Sequence, residues 1–134
     1  MTSRERVLAT IEHRTPDQVP VDIGGTIMSG ISVFAVPALR EALGLEQRTP
    51  KAYELYQMLG EVELDIVDAM GIDVLPVEPE SIFFDIARRD YKRWTHSNGL
   101  EMLVPGAFDV ETDEDGNLLI HTGGDRSQPV EGRM

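Results

Sequence analysis

Two aspartates in short apolar runs are the residues best placed to do chemistry. Asp22 lies in the run at 19–23, immediately before a pair of glycines. Asp73 lies in a second run, at 72–77. Ligands of parallel α/β proteins gather at the carboxyl ends of the strands, so carboxylates near two neighbouring ends would face one pocket. Asp22 and Asp73 are therefore the candidate catalytic residues. The equal alternative is an aspartate that caps a loop or pairs with an arginine.

The loop after the first aspartate is built from small residues that let a ligand approach the backbone. Gly24, Gly25, Thr26 and Ser29 are its candidate substrate-binding residues, because glycine permits close contacts that a side chain would block. The alternative, which the residue types alone favour, is a flexible turn. The loop also resembles a phosphate-binding loop, but Ile31 stands where that loop needs its lysine, which argues against a nucleotide site.

No metal-binding residue is predicted. Residues 112–117 resemble a calcium loop. Counted from Asp113 as the first loop position, however, their glycine comes at the fourth position instead of the sixth, so a solvated hairpin turn is favoured. The histidines are His13, His96 and His121, and no ligand spacing links them. The absence of cysteine excludes a disulfide framework, a zinc finger and a thiol nucleophile in this sequence.

Composition narrows the partners and the compartment. With 134 residues, 41% hydrophobic and 27% charged, the chain fits one soluble globular domain. Its net charge of -12 argues against nucleic acid and anionic membranes as partners. The first residues alternate charges without the apolar core of a signal peptide, and no apolar run is long enough for a membrane span. We therefore expect a cytoplasmic protein.

The elements that must position the aspartates alternate between helices and strands over residues 1–90. Thr2 and Glu5 have capping-box spacing and predict a helix over 3–13. Apolar spacing then predicts a strand, two helical regions and a second strand, at 19–23, 31–45, 51–70 and 72–77. Helices between two short apolar strands are typical of a parallel crossover, which predicts an α/β fold.

Residues 91–121 have the pattern of an antiparallel region. Their short β-prone runs are separated by the hairpin signals Asn98-Gly99 and Asp115-Gly116. Residues 122–134 show no periodicity, and we expect an irregular end there.

Several of these segments together resemble the start of proteins of the uroporphyrinogen decarboxylase family. They are 4–8 (RERVL), 13–22 (HRTPDQVPVD), 24–26 (GGT) with 29–31 (SGI), and 70–74 (MGIDV). The resemblance covers nearly the whole chain, which corresponds to about the first third of a typical member. It implies the N-terminal portion of a (β/α)8 TIM barrel with an inserted antiparallel hairpin region. Residues 1–134 would then be an incomplete barrel domain, with the first βα units in 1–90.

The family resemblance implies one of two activities: decarboxylation of porphyrinogens, or methyl transfer that involves a corrinoid and zinc. Family decarboxylases carry an arginine-rich segment after the first strand, whereas residues 22–32 contain neither arginine nor lysine. The departure favours the corrinoid-dependent methyltransferase-like branch. Asp73 is similar in position to the family's decarboxylase aspartate, so porphyrinogen decarboxylation stays the alternative.

A third hypothesis is a non-catalytic fragment or interaction module, because two strands cannot close an eight-stranded barrel. We expect the 134-residue chain alone to be inactive, with a tetrapyrrole, a corrinoid or another small molecule as ligand of the longer enzyme. Methyltransferase zinc ligands would lie beyond residue 134, so this segment is expected to bind no cofactor itself. A homodimer or a C-terminal remainder would complete the fold.

Overall fold

This computed structural model describes residues 1–133, which contain three short α-helices and ten short strands. The helices are α1 (Ser3–Ile11), α2 (Val36–Ala42) and α3 (Leu64–Met70). The strands are β1 (Ile31–Ser32), β2 (Ala52–Glu54), β3 (Leu59–Gly60), β4 (Ser81–Ile82), β5 (Ile86–Ala87), β6 (Lys92–Thr95), β7 (Glu101–Val104), β8 (Val110–Thr112), β9 (Leu118–His121) and β10 (Val130–Arg133).

The first helix confirms the predicted capping box. The Thr2 hydroxyl accepts the Glu5 backbone N–H at 3.2 Å, and the Glu5 carboxylate accepts the Thr2 N–H at 2.8 Å. These two bonds satisfy N–H groups that a helix start otherwise leaves without partners. The helix ends at Ile11, two residues before the predicted end.

The strands form four small antiparallel sheets, and the predicted TIM-barrel start is wrong. The sheet orders are β1-β3-β2, β10-β9-β8, β4-β5 and β6-β7. Every ladder within residues 1–133 is antiparallel, and the isolated parallel bridge there joins Lys51 to Leu103. A barrel start needs neighbouring parallel strands joined by helices. The described residues instead form a mixed structure of helices and small antiparallel sheets.

Neither of the two strands predicted at 19–23 and 72–77 forms. The Asp73 N–H donates to the Val21 carbonyl at 2.8 Å, but the Val21 N–H donates to the Asp73 carboxylate, at 3.0 Å, rather than to a carbonyl. A side chain thus takes the place of the strand partner. Pro20 and Pro76 also lack the N–H that a ladder requires. The two segments meet through one aspartate instead of a parallel ladder.

The long helical region predicted over 51–70 is a hairpin followed by a short helix. The buried Glu54 carboxylate accepts the N–H groups of Tyr56 and Gln57, both at 2.6 Å, which turns the chain between β2 and β3. Helix α3 follows and ends at Met70, and its C-cap residue Gly71 has a left-handed φ of 63°. The 31–45 region, predicted to be helical, contains β1, a short 3-10 turn and α2, with Pro37 in the first turn of α2.

Both predicted hairpins of the 91–121 region are confirmed. Strand β6 pairs with β7 in register from Lys92 opposite Val104 to Thr95 opposite Glu101. Strand β8 pairs with β9 in the same way, and Gly99 and Gly116 supply the positive φ of the two turns. Strand β10 adds to β9 in a segment without a periodic pattern.

One apolar core joins the sheets. Its fully or nearly buried members come from both halves of the chain: Val33, Ala52, Leu55, Met58, Ile86, Met102, Val104, Phe108 and Ile120. Trp94 packs edge-on against Phe108, with ring centroids 5.2 Å apart. No helix among the described residues is long and apolar enough to span a bilayer.

Candidate functional site

Asp73 is held by two separate parts of the chain. Its carboxylate accepts the Val21 N–H and forms an ion pair with the Arg6 guanidinium of α1. Only 1% of the Asp73 side chain is exposed. Arg6 in turn pairs with Asp17 at 2.8 Å. The predicted catalytic aspartate therefore connects its own segment, after α3, with α1 and with the segment before the glycine loop. This is the alternative in which the aspartate pairs with an arginine.

The environment of Asp73 keeps it ionised at neutral pH. Hydrogen bonds from the Val21 N–H and the Ser3 hydroxyl, together with the Arg6 charge, lower its pKa against the opposing effect of burial. A carboxylate of this kind accepts hydrogen bonds and does not donate a proton at pH 7. Asp73 is thus suited to orienting neighbouring groups, not to general acid chemistry.

Asp22 lies apart from this network and is exposed. Its Oδ1 accepts the Gly25 N–H at 2.9 Å. This bond corresponds to the alternative in which the aspartate caps a loop. A Cβ on Gly25 would lie 2.5 Å from that same oxygen, so the bond requires a glycine there. The structure therefore joins Asp22 to the glycine loop and joins Asp73 to α1, and the two carboxylates have different surroundings.

The glycine loop closes on itself through hydrogen bonds. The Gly24 N–H donates to the Ser29 carbonyl at 2.9 Å, and the Thr26 N–H donates to the Ser29 hydroxyl at 3.1 Å. The Met28 N–H donates to the Thr26 hydroxyl at 3.2 Å. These polar groups are partners of one another, which gives the loop a defined shape from short-range contacts.

A cavity of about 220 Å³ beside this loop is lined by three carboxylates and by no lysine or arginine. The carboxylates belong to Glu61, Glu63 and Glu78. Each is paired at 2.5 to 2.7 Å with a cation that does not line the cavity, and the partners are Lys51, Arg40 and Arg88 respectively. Of the four predicted substrate-binding residues, Gly24 lines this cavity, and Gly25, Thr26 and Ser29 do not.

Sequence reasoning missed an arginine that lies between two further cavities. Arg88 lines an apolar cavity of about 240 Å³, together with Ile27 and Tyr53, and a more polar one of about 560 Å³. Its guanidinium lies 4.7 Å from the centre of the Tyr53 ring. The available signal was the pair Arg88-Arg89, two adjacent cations in a chain of net charge -12.

The histidines do not converge. His121 has its Nδ1 2.7 Å from the Gln128 carbonyl and its Nε2 3.7 Å from a Glu111 carboxylate oxygen. His96 packs against the rings of Phe34 and Trp94. Among residues 1–133, no group of three histidine, aspartate or glutamate side chains has an arrangement that could hold a metal ion.

Comparison with known proteins gives no relative. No protein-family model matches the chain, and neither the curated proteins nor the solved structures contain a significant match.

Proposed function

We propose that this chain is the N-terminal segment of an enzyme of the uroporphyrinogen decarboxylase family, from the branch that carries out corrinoid-dependent methyl transfer. The supporting observation is that residues which carry the family resemblance bind one another. Arg6, in the segment 4–8, pairs with Asp17, in the segment 13–22, and with Asp73, in the segment 70–74. Val21, also in the second segment, exchanges two hydrogen bonds with Asp73. A set of interacting residues explains why these motifs occur together.

The charges beside the glycine loop support methyl transfer over decarboxylation. A porphyrinogen carries several carboxylates, which need cations aimed at them. The cavity next to Gly24 is lined by Glu61, Glu63 and Glu78 instead, and their cationic partners do not line it. A polycarboxylate placed there would meet like charges at short range.

Within this proposal the two aspartates have different roles. Asp22 is exposed and next to the loop, so it is the carboxylate that can touch a substrate. Asp73 is a positioning residue, because its contacts hold α1 against the segment that leads into the loop. A corrinoid would supply the methyl carrier in the longer enzyme. The described residues contain no group of side chains that could hold a zinc ion.

One observation favours porphyrinogen decarboxylation as a second candidate. Arg88 faces the 240 Å³ cavity that Ile27 of the glycine loop and Tyr53 also line. An arginine that reaches this region from a distant part of the sequence could bind one substrate carboxylate. It is a single cation, however, and Glu78 lies 2.5 Å from it.

The experiment is to express the complete reading frame that contains this sequence and to measure two activities. One assay follows methyl transfer from a methylated corrinoid to a thiol, and the other follows decarboxylation of uroporphyrinogen. We expect methyl transfer alone, with Asp22→Asn reducing it and Arg93→Gln, a surface change on β6, leaving it unchanged. Decarboxylation alone would establish the second candidate. Absence of both activities in a folded protein would refute the proposal and favour an interaction module.

A further inference from the structure

The side chain of Arg88 is almost completely buried, and one carboxylate is its ion-pair partner. It is 5% exposed, its Nη2 pairs with Glu78, and its Nη1 has no hydrogen-bond partner in residues 1–133. The backbone N–H of Arg88 donates to the Glu80 carbonyl at 3.0 Å, which fixes the position of the residue. A guanidinium has five N–H donors, and leaving them unsatisfied away from water costs free energy. Such a group is suited to receive an oxyanion.

A phenol next to Arg88 lines the same cavity. The Tyr91 hydroxyl is buried and interacts with the Arg88 guanidinium. Tyr91 and Arg88 both line the cavity of about 560 Å³, together with Lys51 and Arg89. The Lys51 ammonium lies 4.4 Å from the centre of the Tyr91 ring. Three cationic residues and one tyrosine thus line one cavity, together with two acidic residues, Glu78 and Glu80.

Glu78 occupies the place of an anion at Arg88. Its Oε2 forms an ion pair with Nη2 at 2.5 Å and leaves Nη1 without a partner. Burial lowers the pKa of the Arg88 guanidinium, and the nearby Glu78 carboxylate and Tyr91 hydroxyl raise it by more than burial lowers it. The Glu78 side chain is 39% exposed and belongs to a segment without helix or strand, so it can turn outward at low cost.

We propose that the cavity around Arg88 and Tyr91 binds the carboxylate or phosphate group of a small molecule, which displaces the Glu78 carboxylate. Arg88 provides a planar pair of donors for two oxygens, and the Tyr91 hydroxyl provides a third donor. A volume of about 560 Å³ lies within the range of small-molecule sites. The site is distinct from the glycine loop, and the proposal does not depend on the methyl-transfer activity.

The test is a titration of the full chain with inorganic phosphate and, separately, with acetate, at constant ionic strength, followed by NMR of the arginine side chains. We expect saturable shifts of the Arg88 signal with at least one probe. Glu78→Gln removes the competing carboxylate and should tighten binding about tenfold. Tyr91→Phe removes one donor without changing the ring and should weaken binding several-fold. Arg88→Gln should abolish it.

Arg93→Gln is the matched control, because Arg93 is an exposed arginine that pairs with Glu101 on the β6-β7 hairpin. It removes one positive charge outside the cavity, and we expect unchanged binding. Circular dichroism of each variant distinguishes loss of the site from loss of the fold, and Tyr91→Phe and Glu78→Gln supply the answer if Arg88→Gln unfolds. The proposal fails if wild type and Glu78→Gln show no saturable shift, or if Arg93→Gln weakens binding as much as Tyr91→Phe.

Discussion

The Arg6 guanidinium on α1 forms an ion pair with the buried carboxylate of Asp73, 67 residues further along the chain. The contact connects the first helix to the segment after α3, and the Val21 N–H donates to the other Asp73 oxygen. One side chain therefore fixes three segments that no β-ladder connects. Long-range positioning in this half of the molecule depends on charge-assisted hydrogen bonds.

Replacing Asp73 by asparagine should therefore destabilise the fold. Asparagine keeps one acceptor oxygen but loses the charge that pairs with Arg6, which leaves a guanidinium only 12% exposed with Asp17 as its remaining carboxylate partner. We expect a lower urea midpoint for Asp73→Asn. Asp22→Asn is the control, because the exposed Asp22 uses one oxygen for the Gly25 N–H and asparagine retains that oxygen. Equal midpoints for the two variants would refute the structural role of Asp73.

Stability should fall on acidification through several paired aspartates. The Val21 N–H chiefly lowers the pKa of Asp73, Arg40 that of Asp65, and Arg126 that of Asp109. A carboxyl group with a lowered folded-state pKa contributes stability that is complete above its unfolded-state pKa of about 3.9 and is lost as pH falls through the folded value. Urea denaturation from pH 6 to about pH 2 should show this loss below pH about 4.

The same titration identifies the contribution of a single aspartate. In Asp65→Asn the group no longer titrates, so its share of the acid-dependent loss should disappear. The curve of this variant should be flatter below pH about 4 than that of wild type, although it starts from a lower stability. Curves of equal slope would contradict the lowered pKa of Asp65.

Local signals predicted the correctly identified elements. The capping box of α1 joins Thr2 to Glu5, and the β6-β7 turn depends on Asn98 and Gly99, so each signal spans a few neighbouring residues. The predicted parallel strands depended on a contact between positions 52 residues apart, and there a carboxylate took the backbone donor. Apolar composition cannot distinguish these two outcomes, because it does not show whether a backbone N–H will meet a carbonyl or a carboxylate.

The candidate site was predicted in part for the same reason. The hydrogen bond from the Gly25 N–H to the Asp22 carboxylate spans only three residues. It follows from an aspartate three residues before a glycine, which is a local turn pattern. Arg88 follows β5 and meets Glu78, which precedes β4, across the β4-β5 hairpin, and its neighbour Tyr53 comes from β2. No spacing rule connects these three positions, so the cavity that they share was not evident from the sequence.

Arg40 offers a test of an ion pair in which the arginine is fully buried. Its side chain has no exposed area and binds the Glu63 and Asp65 carboxylates at 2.6 to 3.1 Å, as well as the Glu46 carbonyl at 2.6 Å. Arg40→Met removes these bonds between α2 and α3 and should cost about 3 kcal/mol of unfolding free energy, at the lower end for buried pairs because both acids are partly exposed.

Arg48→Met is the matched control for that change. Arg48 lies near the same two carboxylates, at 3.4 Å, but 46% of its side chain is exposed and water screens the pairing. We expect a much smaller loss of stability in guanidinium denaturation. A loss as large as that of Arg40→Met would mean that the charge of the two acids, and not the buried geometry of Arg40, determines the energy.

Gly24 allows the shape of the glycine loop to be tested by one methyl group. Its φ of 84° is strained for alanine, and an added Cβ would lie 2.6 Å from Cγ2 of Val62. Strain of about 1 kcal/mol and overpacking of about 1–3 kcal/mol should add in Gly24→Ala. In Gly44→Ala, where φ is 68° and no atom lies within 4 Å of the new Cβ, only the strain should remain.

A second change separates the two contributions. Val62→Ala removes the Cγ2 methyl that the new Cβ would meet, so the double variant Gly24→Ala with Val62→Ala should lose less stability than the sum of the single losses. Urea midpoints of the four proteins in this cycle give the coupling. Additive losses would mean that Val62 does not pack against the loop. A coupling of about 1 kcal/mol or more would place Val62 at the wall that closes the acidic cavity against Gly24, since both residues line it.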